Sequence, residues 1–165
     1  MRKERHVHLQ KPKWESYLLR IGGYINIVIA IAHLVGLIWA DQMYEFSGVG
    51  RQMEDLSRIH SAYPFLLTLF VSLVFFLFGL YGLSAGEEIV QLPFLQNCIY
   101  LIATIYILRG LGGLALEKFH DFPSSNQVIF SSTAATIGLF YLVGALVKWN
   151  RKPVKSPITP NKAKE

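Results

Sequence analysis

The chain is poor in charge. Only 16% of its 165 residues are Asp, Glu, Lys or Arg, while 52% are hydrophobic. That balance is too apolar for a water-soluble domain of this length. The chain has one cysteine, Cys98, which excludes an internal disulfide and a thiolate metal cage. Lying in an apolar run, Cys98 reads as a small filler rather than a reactive thiol. There is no Cys-x-x-Cys, no Gly-rich phosphate loop and no Ser-His-Asp order. The common signatures of redox, nucleotide-binding and serine-nucleophile enzymes are therefore missing. Gly48-Val49-Gly50 follows no strand and reads as a turn. His33, His60 and His120 offer no pair at His-x-x-x-His spacing, so no metal, haem or other cofactor is expected.

What the chain has instead is four apolar blocks, at residues 18–40, 62–85, 92–116 and 128–147. Each reaches the roughly 20 residues a helix needs to cross the hydrocarbon of a bilayer. The first block is too long for the apolar part of a signal peptide, and Ile38-Trp39-Ala40 is a poor cleavage site, so it reads as a retained span. The expected fold is an all-α integral membrane four-helix bundle over residues 18–148, between basic tails at 1–17 and 149–165. The last tail, rich in Pro and Lys, reads as disordered.

Lys and Arg set the expected orientation. Arg2, Lys3, Arg5, Lys11, Lys13 and Arg20 precede or open the first span, and Lys148, Arg151, Lys152, Lys155, Lys162 and Lys164 follow the fourth. The connection after the first span has only Arg51 and Arg58, and that after the third only Lys118. The positive-inside rule then places both termini in the cytoplasm. The middle connection also becomes cytoplasmic, although it carries Glu87 and Glu88 and no positive charge. The net charge of +5 reads as a topology signal and as attraction to anionic headgroups, not as a nucleic-acid footprint.

The two halves resemble each other. Displaced by 76 positions, Tyr24 falls on Tyr100, Gly36 on Gly112, Asp41 on Glu117, Glu45 on Asp121 and His33 on Arg109. The second and fourth spans align at 70 positions through Ser61 and Ser131, Leu69 and Leu139. Two tandem two-helix repeats imply a pseudo-twofold axis along the membrane normal. Gly82 and Gly86, and Ala134 and Gly138, are spaced four apart, as close helix packing requires.

Candidate functional residues lie within the spans. Arg109 interrupts the third apolar block. A guanidinium cannot lose its charge, and its burial in hydrocarbon costs several kcal/mol unless it is paired or reaches the interface. Helical spacing puts His33 on one face with Gly22, Asn26, Ala30 and Gly36, and Arg109 on one face with Cys98, Ile102, Tyr106, Gly112 and Gly113. The second span adds Thr68 and Ser72, and the outer connections add acidic residues including Asp41 and Glu45. Arg109, His33, Asn26, Thr68, Tyr106 and Glu45 are the expected ligand-binding set, in a polar pocket near the outer face. A structural ion pair from Arg109 to Asp41, Glu45 or Glu117 is the plain alternative. Residues 51–60 read as a short amphipathic cap, with Arg51 and Asp55, and Glu54 and Arg58, as i,i+4 pairs.

His33, the run Gly48 to Met53, the run Gly79 to Gly86, Leu92-Pro93 and the run Ile105 to Leu111 together resemble a family of small four-span bacterial inner-membrane proteins. The resemblance covers roughly residues 18–148. It implies a bacterial inner membrane and carries over no activity. The function expected from the residues is non-enzymatic: binding of a lipid, a small anion or a partner membrane protein, or self-association. The alternative is a small transporter or intramembrane enzyme, with His33 moving protons and Arg109 holding an anionic group.

Overall fold

A computed structural model describes residues 14–117 and 125–150. Its elements are all helical. Helix α1 (Trp14–Gly36) passes through a 3-10 turn (Leu37–Trp39) into α2 (Ala40–Phe46), which is followed by α3 (Gly50–Ile59), α4 (Tyr63–Ala85), α5 (Leu95–Glu117) and α6 (Ser125–Asn150). Among the described residues four helices, α1, α4, α5 and α6, are long and apolar enough to cross a membrane. This is the architecture of a multi-pass membrane protein.

Helix ends follow local chemistry. α4 starts with Pro64 near its N-terminus, where a missing N–H costs nothing. It ends in a Schellman arrangement: Glu88 N–H bonds the Leu83 carbonyl at 3.0 Å and Glu87 N–H bonds the Ser84 carbonyl at 3.1 Å. Glu87 takes the left-handed position, φ 66°, that glycine usually fills. α5 starts at Leu95, three residues later than the apolar block, because Pro93 and a left-handed Phe94 (φ 52°) precede it. α1 starts earlier than its block and takes in Glu15 and Ser16, both buried. The tails lie outside the described residues except for positions 14–17 and 149–150.

The helices pack as two antiparallel hairpins. α1 lies along α4 and α5 lies along α6; α6 also packs on α1, and α4 touches α5 more lightly. Small residues let the backbones approach. A Cβ on Gly79 would stand 2.9 Å from the Gly23 carbonyl oxygen, and one on Gly110 would stand 2.6 Å from the Ala135 nitrogen. Of the expected pairs Gly82/Gly86 and Ala134/Gly138, the three glycines lie in close contacts: Gly82 faces Gly23, Gly86 faces Arg20, and Gly138 faces Ile107. The buried core is drawn from all four long helices, with Leu19, Ala85, Ile99, Ile102, Ile137 and Tyr141 at its centre. Val28, Phe70, Leu108 and Ile129 point outward and are exposed, as lipid-facing positions should be.

α1 begins and α6 ends at one end of the bundle, termed here the terminal end. The α2 and α3 helices close the opposite, cap end. There Tyr44 is buried and meets Thr68 Oγ1 at 3.0 Å. Thr68 gives its single proton to the Pro64 carbonyl at 2.9 Å, so Tyr44 is the donor to Thr68. Gly48, at φ 73°, turns the chain between α2 and α3. The start of α6 holds this corner from the other hairpin: Gln127 Nε2 donates to the Ser47 carbonyl at 2.9 Å and Asn126 Nδ2 to the Phe46 carbonyl at 3.1 Å.

Candidate functional site

Two of the expected residues meet at mid-bundle. Asn26 of α1 is fully buried. Its Nδ2 donates to the Gly22 carbonyl at 2.8 Å and to Tyr141 Oη at 3.2 Å. Its Oδ1 accepts from Tyr106 Oη. Tyr141 in turn donates to the Phe78 carbonyl at 2.9 Å. The Tyr106 and Tyr141 rings stack nearly parallel, 6.4 Å between centroids. One network thus joins α1, α4, α5 and α6, and each polar atom of Asn26 is used. A buried polar network that is fully satisfied rigidifies and specifies a bundle core. Its geometry is that of a clasp. Tyr141 and the Phe78 carbonyl were not legible as members; a tyrosine in the middle of an apolar span was the available signal.

The other expected residues are distributed over separate places. His33 is half-buried; its Nδ1 donates to the Ile29 carbonyl at 2.8 Å and its ring lies 5.1 Å from that of Phe75. The carbonyl can only accept, which fixes a proton on Nδ1. Arg109 is exposed on the side of α5. Its Nη1 reaches Ser131 Oγ of α6 at 3.4 Å, a long and weak contact to a fully buried hydroxyl. No ion pair joins Arg109 to a carboxylate among the described residues, and no bond or ring contact joins it to His33. The side chain of Glu117 lies outside the described residues. Thr68 belongs to the Tyr44 pair, and Glu45 lines a cap-end cleft.

That cleft, about 410 Å³, lies between α2, α3 and the start of α4. Asp41, Glu45 and Glu54 line it with Leu37, Tyr44, Met53 and Phe65, among others, and no Lys, Arg or His is in its wall. Glu54 is paired with Arg58 at 3.0 Å, and the hydrogen bond to Glu54, followed by the charges of Glu54 and Asp55, raises the Arg58 guanidinium above its ordinary range. Arg51 makes no ion pair with Asp55, the less favourable orientation for a helical pair. Beneath the cleft, on the α1–α4 seam, runs a second concavity of about 670 Å³, lined by apolar residues including Leu34, Leu66, Leu69 and Phe70, with Ser72 as its one polar side chain.

The terminal end is closed by charge. Arg20 of α1 pairs with Glu88 at 2.7 Å and donates to the Gly86 carbonyl at 2.7 Å. Lys148 of α6 pairs with Glu87 at 2.8 Å and donates to the Ala85 carbonyl at 2.8 Å. Both cations therefore sit on the C-terminus of α4, where the helix dipole favours them. The acidic middle connection finds its positive partners on the flanking spans.

No group of three or more His, Cys, Asp or Glu could hold a metal ion among the described residues. The sequence does contain one Glu-x-x-His spacing, Glu117 to His120. Paired-helix metal sites use two such motifs, and both side chains lie outside the described residues. Comparison of the chain with family models, with curated proteins and with solved structures finds no match.

Proposed function

We propose that this chain is a non-enzymatic protein of a bacterial inner membrane, with both termini in the cytoplasm, that binds an anionic lipid headgroup at Arg109. The single observation behind this is the position of the guanidinium. It is exposed on a helix of membrane-spanning length, held by one 3.4 Å contact and by no carboxylate among the described residues. A permanent cation in such a place needs an anion, and its side chain can reach one by extending toward the interface. Arg109 precedes the end of α5 by eight residues, about 12 Å along the helix. With the cap end outward, the anion within reach is an outer-leaflet phosphate, which a guanidinium can grip with two parallel hydrogen bonds.

The orientation rests on the excess of Lys and Arg at the terminal end. The pairing of Arg20 and Lys148 with Glu88 and Glu87 supports it, because it accounts for an acidic cytoplasmic connection. The two hairpins support a tandem repeat. The bacterial membrane rests on the resemblance alone.

The test is native mass spectrometry of the protein from mild detergent, comparing wild type with Arg109→Ala and Arg109→Lys. Wild type is expected to carry an anionic phospholipid that is reduced about tenfold in Arg109→Ala, a loss of about 1.4 kcal/mol, and partly kept in Arg109→Lys. Equal lipid in wild type and Arg109→Ala would end this reading.

A further inference from the structure

The cap-end seam of α1 and α4 carries a second site of opposite sign. We propose that it binds an amine-headed lipid, an amphiphile with a net cationic head and an apolar chain. The chain lies in the groove and the head enters the acidic cleft.

Four observations support this. First, the groove and the cleft, about 670 and 410 Å³, both fall in the range of roughly 300–1,000 Å³ typical of small-molecule sites. Second, they adjoin. Leu37 and Phe65 in the cleft wall stand one helical turn beyond Leu34 and Leu69 in the groove wall. Third, their linings divide as an amphiphile divides. The groove presents apolar side chains and Ser72, whose hydroxyl is already bonded to the Ala30 carbonyl at 2.9 Å. The cleft presents Asp41, Glu45 and Glu54. Fourth, the charge balance excludes the common anionic heads. Glu54 is paired with Arg58, but Asp41 and Glu45 make no ion pair among the described residues. A phosphate at this mouth would meet two uncompensated carboxylates; an ammonium would be attracted and lose little water there. Tyr44 and Phe65 add aromatic surface to which a cation is drawn.

The site is built by the first hairpin with its cap, whereas Arg109 stands on α5 against α6. It therefore does not rest on the anionic-lipid reading, and the two can fail separately.

The experiment uses the full chain in a nonionic detergent and three probes with one tail: hexadecylamine, hexadecanol and hexadecanoic acid. Dissociation constants are read by native mass spectrometry. The amine is expected to bind about tenfold tighter than the alcohol, with the acid weakest. In Asp41→Asn/Glu45→Gln the amine is expected to fall to the level of the alcohol while the alcohol is unchanged. Leu69→Trp, which fills the groove from an exposed position, is expected to weaken amine and alcohol alike. Arg109→Ala is expected to change none of the three. Equal binding of amine and alcohol to wild type overturns the proposal. So does an amine preference that survives the double neutralisation, or undiminished amine binding in Leu69→Trp.

Discussion

α1 and α4 lie against each other along their length, yet the two halves of that seam are built differently. Toward the terminal end Gly23 faces Gly79 and Gly82, so closely that no Cβ fits between the backbones. Arg20 and Lys148 then seal the end by pairing with Glu88 and Glu87. Toward the cap end the same helices present Leu34, Leu66, Leu69 and Phe70 around an apolar groove, and α2 adds Asp41 and Glu45 beyond it. In the first half the small residues and charges are used up by the fold. In the second, apolar surface and charge are left over. Left-over chemistry, rather than polar chemistry as such, marks where a ligand is to be sought. By that standard the Asn26 network is structural, because its bonds are already made.

The contrast can be broken most severely at the glycine contact. Gly79→Leu is expected to destabilise by about 3 kcal/mol, the upper end for overpacking against atoms that cannot move aside, because its Cβ meets backbone at 2.9 Å. Gly112→Leu, where a Cβ has nothing within 4 Å, is the control and should melt like wild type. Thermal unfolding in detergent reads both; similar melting temperatures for the two variants would refute the tight-seam account.

A smaller effect is expected at Glu87, which combines a left-handed backbone with the ion pair to Lys148. Glu87→Ala keeps the strained backbone and loses the half-exposed pair, a cost of up to about 1 kcal/mol. Glu87→Gly loses the same pair but relieves roughly 1 kcal/mol of left-handed strain. Gly should therefore be the more stable of the two variants, and added salt should narrow the gap between wild type and Ala. The reverse order would show that the backbone at residue 87 is not strained.

The smallest effect is expected at the cap end. Asp41→Asn with Glu45→Gln should change stability by no more than about 0.5 kcal/mol, as for exposed residues without partners. A large loss in chemical denaturation would mean that these carboxylates hold the cap together and are not left over.

Much of the architecture was readable because length and apolarity are local properties. The four blocks coincide closely with α1, α4, α5 and α6, and the face Gly22, Asn26, Ala30 is buried. What could not be read depends on distance in three dimensions. Glu87 and Glu88 looked like an objection to the topology because their partners, Lys148 and Arg20, lie 61 and 68 positions away. Helical spacing placed Arg109 with Ile102 and Tyr106, which are buried, yet Arg109 itself is exposed. Arg109 lies about 20° from Ile102 on the side away from Tyr106, just past the edge of the buried stripe of α5. The expected pocket joined His33 to Arg109, but His33 bonds the Ile29 carbonyl of its own helix, and the long contact Arg109 makes is with Ser131 of α6.

The Asn26 clasp also sets a schedule. Its Oδ1 bonds to a residue 80 positions later in the chain, and its Nδ2 to one 115 positions later. A ribosome adding roughly 5–20 residues per second needs about 4–16 s to reach the first of these. Until then the Asn26 amide has, within its own hairpin, only the Gly22 carbonyl to satisfy it. The newly inserted hairpin thus waits with an unmet bond, and arrival of the second hairpin is rewarded at the point where the four helices meet.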